Sequence, residues 1–414
     1  MAKEIRISLL GHKDHGKSTL VGRLLHDTGS MTKDRIEEAK AICAASGKEF
    51  ELAFLLDSFV EEREGGFTLD TTTAQARHRD VIYNLIDVPG HRELVKNMLS
   101  GASQADAAIL IVSAKEDEGL QDETRLHLYM ASMLGIRRLV VAVNKMDAVG
   151  YGRERFESLK SSVSAVLSSF GFGDFSFVPV SARNGDNVME RSGSMEWYDG
   201  RPLISLMEEF ADGHEETRLR SLAPRLFVQD AYDVDGGKML VGRLETGMLG
   251  TGQVVAIEPL GLRTTIKAIH SPGGAERKEA EAGQNIGLRL AYSGDIGRGC
   301  VIAGEESAPR AGREFEALIF CFPECSLEPG EELTVTCSSQ EASAMIKRVR
   351  SRMNPIKDLH PHPAQLGGVG SCEAAEVSLE TGSPLVFERF SEMPPTGRFI
   401  ISKAGKIAGV GVIL

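Results

Sequence analysis

A parallel α/β domain followed by two all-β barrels is the architecture that the sequence predicts, and three observations predict it. The chain has 414 residues, 42% of them hydrophobic, which is enough apolar material for two or three separate cores. Its first 210 residues alternate short β-branched runs with stretches of helical apolar spacing, the pattern of a parallel sheet covered by helices. Past a polar, charged segment at Asp212–Ser221, short Val/Ile/Leu runs are punctuated by glycine and proline, as in "KMLVGRLETGMLGTGQVVAIEP" and "GREFEALIFCF". That texture belongs to antiparallel barrels.

In order, the strands expected in the first domain are Ile5–Leu10, Val81–Asp87, Ala107–Ser113, Leu139–Asn144 and Phe175–Val180. The helices expected between them are Ser18–His26, Arg92–Ser103, Gln121–Leu134 and Arg155–Phe170. The polar stretch reads as a linker, and "GEESAPRAG", Gly304 to Gly312, reads as a break between two barrels. The expected division is therefore 1–212 for the α/β domain, 213–222 for the linker, and 223–307 and 308–414 for the barrels.

A formal net charge of −12 argues against a protein that holds DNA or RNA through an overall basic field, although a local basic patch would survive that average. Six cysteines, at 43, 300, 321, 325, 337 and 372, lack the paired spacing of a zinc site and read as small apolar core residues. The amino terminus has no apolar signal region, and no window approaches the ~18 apolar residues of a membrane span. A cytoplasmic protein with no membrane partner is the expectation.

Gly11-His-Lys-Asp-His-Gly16-Lys17-Ser18 fits the phosphate-loop pattern G-x-x-x-x-G-K-[ST], after an expected strand and before an expected helix. In that setting the glycines let backbone N–H groups wrap a triphosphate, and the helix adds its positive end. Gly11, Asp14, His15, Gly16, Lys17, Ser18 and Thr19 are the candidate nucleotide-binding residues of this loop. Lys17 is placed to reach the β- and γ-phosphates and Ser18 to ligate Mg²⁺. A second element, "NLIDVPGH", delivers Asp87 to the carboxyl end of a strand, where it can hold Mg²⁺ through water while the Gly90 N–H senses the γ-phosphate. A third, Asn144-Lys145-Met146-Asp147, places a carboxylate where it can accept from the N1–H and 2-amino group of guanine. Adenine offers no such pair of donors, so Asp147 selects GTP and GDP over the adenine nucleotides. A fourth, "VPVSARNGD", brings Ser181 and Ala182 over the base. Four motifs in this order, each at a strand end, specify a guanine-nucleotide site where any one of the last two alone would not.

With these motifs the chain resembles the translation-factor superfamily of GTPases. It is similar to elongation factor Tu, to elongation factor 1-alpha and to the GTPase subunit of bacterial ATP sulfurylase. The likeness runs from the first domain through "SARNGDNVMERSGSMEWYDGRPL" and "VGRLETGMLGTG" to "PPTGRFIISKAGKIAGVGVIL". It implies a G domain followed by two β-barrels, and hydrolysis of GTP with Mg²⁺. It also implies that "EEREGGFTLDTTTAQ", Glu61 to Gln75, is the first switch, with Thr68 meeting Mg²⁺ and the γ-phosphate, and that His91 orients the attacking water.

Two positions depart from the family. Where it carries a small apolar residue and an isoleucine flanking the catalytic histidine, this chain has Lys13 and Phe67. Three readings stay open. Phe67 fills the gate while Lys13 points to solvent. Alternatively, Lys13 sits near the β–γ bridging oxygen and stabilises the charge that develops there. In the third, its ammonium misplaces His91 and slows turnover. The family's arginine before the switch glycine is also replaced, by Gly65.

Two partners compete as well. The G domain, with "FELAFLLDSFVEERE" and "GASQADAAILIVSA", resembles a translation factor that carries aminoacyl-tRNA to the ribosome. The barrels, with the compact "YDVDGGKMLVGRLETG" and with "LTVTCSSQEASAMIKRV" in place of a histidine-containing tRNA-facing segment, lean toward a regulatory subunit of an adenylyltransferase-type protein. The acidic charge tips the expectation to that protein partner. Trp197 and Tyr198 read as edge packing, "KRVRSR" (347–352) as a solvated face, and "HPHP" (360–363) as a stiff loop without a third metal ligand.

Overall fold

The computed structural model describes residues 3–32, 34, 36–37, 40–41, 52, 72–87, 105–133, 135–136, 138–210, 214–234, 237–292, 294–358, 360–364 and 367–414. The chain divides into two compact units, with the main boundary between Asp212 and Gly213.

The first unit is built on strands β1 (Lys3–Leu10), β2 (Thr72–His78), β3 (Val81–Asp87), β4 (Ala107–Ser113), β5 (Arg138–Asn144) and β6 (Asp174–Pro179). Their order in the sheet is β2-β3-β1-β4-β5-β6, parallel except for β2 against β3. Helices α1 (Lys17–Asp27), α2 (Asp122–Met133), α3 (Arg153–Ser169) and α4 (Leu203–Phe210) belong to the same unit. β4 is buried at every residue, as expected of a central parallel strand covered on both faces. Leu20 and Leu24 of α1 join Ile7, Leu9, Ile109 and Ile111 in one core cluster. Because β1, β4 and β5 run parallel, their carboxyl ends lie along one edge, and Gly11, Ala114 and Lys145 follow them there.

The expected strands and helices of this unit appear within two residues of their predicted ends where they are described; Arg92–Ser103 lies outside the described residues. The sequence did not single out β2. Among its described side chains it buries Ala74 and Ala76 on one face and exposes Gln75 and Arg77, so no bulky apolar alternation marks it.

In the second unit, helix α5 (His214–Ser221) occupies the stretch expected to be a plain linker. The reason is tertiary, since the Leu219 carbonyl accepts from the Gly247 N–H at 2.8 Å and Arg220 pairs with Glu281 at 3.1 Å. The strands that follow are β7 (Arg225–Val234), β8 (Gly237–Thr246), β9 (Met248–Gly250), β10 (Val254–Glu258), β11 (Leu262–His270), β12 (Glu276–Arg277), β13 (Glu279–Glu281), β14 (Asn285–Leu290) and β15 (Val301–Gly304). Six of them close a barrel in the order β10-β15-β7-β8-β14-β11, sealed by the β10–β11 pairing. A second barrel uses β16 (Ala311–Cys321), β17 (Leu333–Cys337), β18 (Gln340–Met353), β20 (Ala374–Val386), β21 (Arg398–Lys403) and β22 (Lys406–Ile413), with the short β19 (His362–Pro363) paired outside it. The β17–β18 pairing closes it. Closure leaves neither barrel with a long open edge.

Between the barrels, Arg225 is 3% exposed and grips Glu388 through Nε at 2.8 Å and Nη2 at 2.6 Å, and Thr396 donates to the same carboxylate at 2.8 Å. Of the described cysteines, Cys300, Cys321 and Cys337 are buried and unpaired, as small core residues; Cys325 and Cys372 are half-buried.

Candidate functional site: a nucleotide cradle at the carboxyl edge of the sheet

β1 ends at Leu10 and α1 begins at Lys17; the six residues between them form a tight loop with a 3₁₀ turn at Lys13–His15. Glycine is required at both ends of that loop. Gly16 caps α1 in the left-handed region (φ +87°), and a Cβ there would stand 2.5 Å from Asn144 Nδ2; at Gly11 (φ +133°) it would collide with the Ile111 carbonyl. Lys17 is 9% exposed and its Nζ donates to the Gly11 carbonyl at 2.6 Å, so the ammonium is folded into the loop's own concavity. Ser18 and Thr19 occupy the first turn of α1, half-buried, at its positive end. The Ser18 hydroxyl has no hydrogen-bond partner among the described residues. A half-buried neutral oxygen without a protein partner suits a hard cation such as Mg²⁺. Asp87 ends β3 with its backbone paired to Leu9 of β1, two residues before the loop begins, which brings a carboxylate-bearing residue to the same edge.

His15 contributes by its backbone. Its ring turns into the core, with Nδ1 3.2 Å from the Ile111 carbonyl, and burial pushes its pKa below the ordinary 6.5. Its own carbonyl accepts from Asn144 Nδ2 at 2.9 Å. Asn144 is 2% exposed, and its Oδ1 accepts from the Ala182 N–H at 2.9 Å. One amide thus ties the phosphate loop to the Ser181–Ala182 loop.

Asp147 stands in the 3₁₀ turn Met146–Val149, and its Oδ1 accepts from the Ser181 hydroxyl at 2.7 Å. The Ser181 oxygen in turn accepts from the Asn184 N–H at 3.2 Å. Lys145 is left-handed (φ 63°) and its ammonium donates to Glu118 at 2.6 Å, with Lys115 3.5 Å from the same carboxylate. Burial pushes the Glu118 carboxyl up, but hydrogen bonds from Lys145 and Ser113 and the charges of Lys145 and Lys115 outweigh it and hold the group at about 2. Because the folded value is depressed, the pair's contribution to stability is fully present above the ordinary 4.5 and is lost only as the pH falls toward 2.

The fold therefore gathers Gly11, His15, Gly16, Lys17, Ser18, Thr19, Asn144, Lys145, Asp147, Ser181 and Ala182 along one edge. Lys13 and Asp14, in the 3₁₀ turn, have exposed side chains. Thr68, Gly90, His91, Phe67 and Gly65 lie outside the described residues.

Glu118 was not singled out from the sequence, because "KEDEG" offers three acidic residues with nothing to distinguish the one that meets Lys145. Tyr151 was also missed: its hydroxyl donates to Asp186 at 2.9 Å and accepts from Asn184 at 3.0 Å, bracing the base loop. Trp197 packs on Phe156 with ring centres 5.4 Å apart and donates to the Tyr151 carbonyl at 2.9 Å, while the Tyr198 hydroxyl donates toward the Phe177 carbonyl at 3.0 Å. Both are engaged in packing the edge of the domain.

On the second barrel, Lys347 is paired with Glu314 (3.1 Å) and Glu380 (3.3 Å), and Arg350 with Glu316 (2.6 Å). Two of the four basic residues of "KRVRSR" are thus paired with carboxylates on their own surface. Among the described residues no group of three or more His, Cys, Asp and Glu is arranged to hold a metal ion, and no helix is long and apolar enough to cross a membrane.

Comparison with known proteins agrees with this geometry. Residues 2–217 match the family described as elongation factor Tu GTP binding domain, and residues 314–414 match the GTP-eEF1A C-terminal domain-like family. The chain is 36% identical to the elongation factor 1-alpha of Archaeoglobus fulgidus, covering 100% of this chain and 99% of that protein. It is 37% identical to that of Thermoplasma acidophilum (98% and 96% covered) and 35% identical to that of Aeropyrum pernix (99% and 96%). These matches correct the lean toward an adenylyltransferase partner and back the translation-factor alternative. The lean rested on the acidic charge, on the compact "YDVDGGKMLVGRLETG" and on "LTVTCSSQEASAMIKRV", the last being the β17–β18 hairpin that closes the second barrel, with Leu333, Val335, Ala342, Ala344 and Ile346 buried. Its sequence answers to barrel closure, and the C-terminal family match runs through it. By its nucleotide cradle, its two barrels and its full-length relatives, the chain belongs to the elongation factor Tu family of translation-factor GTPases, which bind GTP and GDP and hydrolyse GTP.

Proposed function

We propose that this protein is a cytoplasmic elongation factor of the 1-alpha type, which in its GTP form carries aminoacyl-tRNA to the ribosome and releases it on hydrolysis. The observation that carries the proposal is similarity to elongation factor 1-alpha along the whole chain, barrels included, rather than in the nucleotide-binding domain alone. The working parts are the G domain at 1–212, the connecting segment at 213–222, and the barrels at 223–307 and 308–414.

In this proposal the loop N–H groups and Lys17 hold the phosphates, Asp147 reads guanine, and Ser181 and Ala182 close over the base. Ser18, Asp87 and Thr68 would hold Mg²⁺, which when bound would neutralise charge on the β- and γ-phosphates. The Gly90 N–H senses the γ-phosphate and His91 positions the attacking water. Lys13, with its side chain free to extend from the loop, modulates hydrolysis from beside the phosphates. An unchanged single-turnover rate in Lys13→Val removes it from the mechanism.

Protein loaded with a non-hydrolysable GTP analogue, and separately with GDP, tests the partner when RNA and protein are recovered apart from a native extract. Charged tRNA is expected with the GTP form alone. A stoichiometric adenylyltransferase-like protein without tRNA would overturn the proposal.

A further inference from the structure

α1 touches the nucleotide site at two places. Its first turn carries Lys17 and Ser18; Arg23, about 9 Å further along at 1.5 Å per residue, reaches the loop that closes over the base. Arg23 Nε donates to the Ala182 carbonyl at 3.0 Å, and Nη2 donates to the Arg183 carbonyl. From the other side Asp27, one helical turn on, takes Nη1 at 3.3 Å. The Arg23 and Asp27 side chains are 17% and 20% exposed, so this ion pair is substantially shielded from water.

The base loop is shaped to receive the guanidinium. A turn closed by Gly185 N–H to the Ser181 carbonyl (2.7 Å) leaves the carbonyls of 182 and 183 to Arg23. Gly185 itself is left-handed (φ +86°), and a Cβ there would meet Arg23 Nη1, Cζ and Cδ at 3.5–3.7 Å, so the guanidinium lies against the one loop residue that has no side chain. The same loop donates its Ala182 N–H to Asn144 and its Ser181 hydroxyl to Asp147. Arg23 therefore holds by its carbonyls the loop that Asn144 and Asp147 hold by its donors. A planar fork can bond two successive carbonyls and a carboxylate together, whereas an ammonium on a flexible stem cannot match that geometry.

We infer that Arg23 is a positioning residue for guanine recognition, fixing the base loop to the helix that carries the phosphate-binding lysine, so that base and phosphates are read by one rigid unit. The inference rests on guanine-nucleotide binding at this site. It assigns to α1 a part in base selectivity as well as in phosphate binding.

The test is to measure the affinity of full-length wild type, Arg23→Met and Arg23→Lys for GDP and, by competition at high concentration, for ADP. Arg23→Met is expected to weaken GDP about 10-fold, the equivalent of losing one charge-assisted hydrogen bond, with ADP unchanged. Arg23→Lys is expected to keep part of the selectivity, since one ammonium can serve one carbonyl. Equal weakening of GDP and ADP, or no change in either, overturns the inference, the first outcome marking Arg23 as mere support for α1. If Arg23→Met does not fold, the Arg23→Lys ratio of GDP to ADP affinity decides on the same terms. Wild type that fails to prefer GDP over ADP would instead contradict guanine binding at the site.

Discussion

Asp147→Asn is expected to lower GDP and GTP affinity by roughly 10³-fold, because a site built to hydrogen-bond two donors of the ligand then meets them with a donor of its own. Guanine presents N1–H and a 2-amino group. The native carboxylate can accept from both, with Ser181 bonded to its Oδ1 at 2.7 Å to hold it in place. In the amide one oxygen becomes NH₂, which opposes the 2-amino group and leaves two donors facing each other in a half-dry site. Xanthine carries an oxygen where guanine has that amino group, so xanthosine diphosphate should gain affinity as GDP loses it. The Ser181 hydroxyl can still donate to the remaining amide oxygen, and thermal stability without nucleotide should move little. Paired titrations with the two diphosphates check this directly. Undiminished GDP binding would mean that Asp147 does not face the base, and would remove the argument for guanine over adenine.

What could be read from the sequence depended on how local the determining contacts are. β3 and β4 appear in the fold at the ends expected of them, because "VIYNLID" and "AAILIVS" carry their burial in contiguous apolar residues. β2 hides its burial in Ala74 and Ala76, and α5 has almost no apolar stripe and leans on Gly247 through a backbone bond. Neither can be seen without its tertiary neighbours. The site divides in the same way. The phosphate loop, the Asn144–Asp147 turn and the Ser181–Ala182 loop are contiguous motifs whose chemistry follows from residue type and position at a strand end. Glu118 beneath Lys145, and Arg23 beneath Ala182, are pairings across 27 and 159 residues that nothing along the chain announces. The lean toward an adenylyltransferase partner, which the relatives do not support, had a related source. A hairpin whose composition is set by closing a barrel was taken as evidence about what the barrel's surface binds.

Asn144→Ala should be the most damaging single change to the cradle as a folded object. The side chain is 2% exposed, and its two bonds join two separate segments, through the His15 carbonyl in the phosphate loop and the Ala182 N–H in the base loop. Truncation leaves a buried acceptor and a buried donor without partners, at about 1–3 kcal/mol each, so a loss of about 2–6 kcal/mol is expected for the domain. It also removes the amide against which Gly16 is packed, so closely that a Cβ on Gly16 would come within 2.5 Å of it, and frees the helix cap that aims the backbone N–H groups at the phosphates. Nucleotide affinity should therefore fall by more than 10²-fold for GDP and, unlike the Arg23 variants, for ADP as well, since both ends of the ligand lose their support. Denaturant titration without nucleotide, alongside the two affinities, separates the effects. A variant as stable as wild type that still binds GDP within threefold would show that the phosphate and base loops hold their positions independently, and the account of a single rigid unit reading both ends of the nucleotide would fall with it.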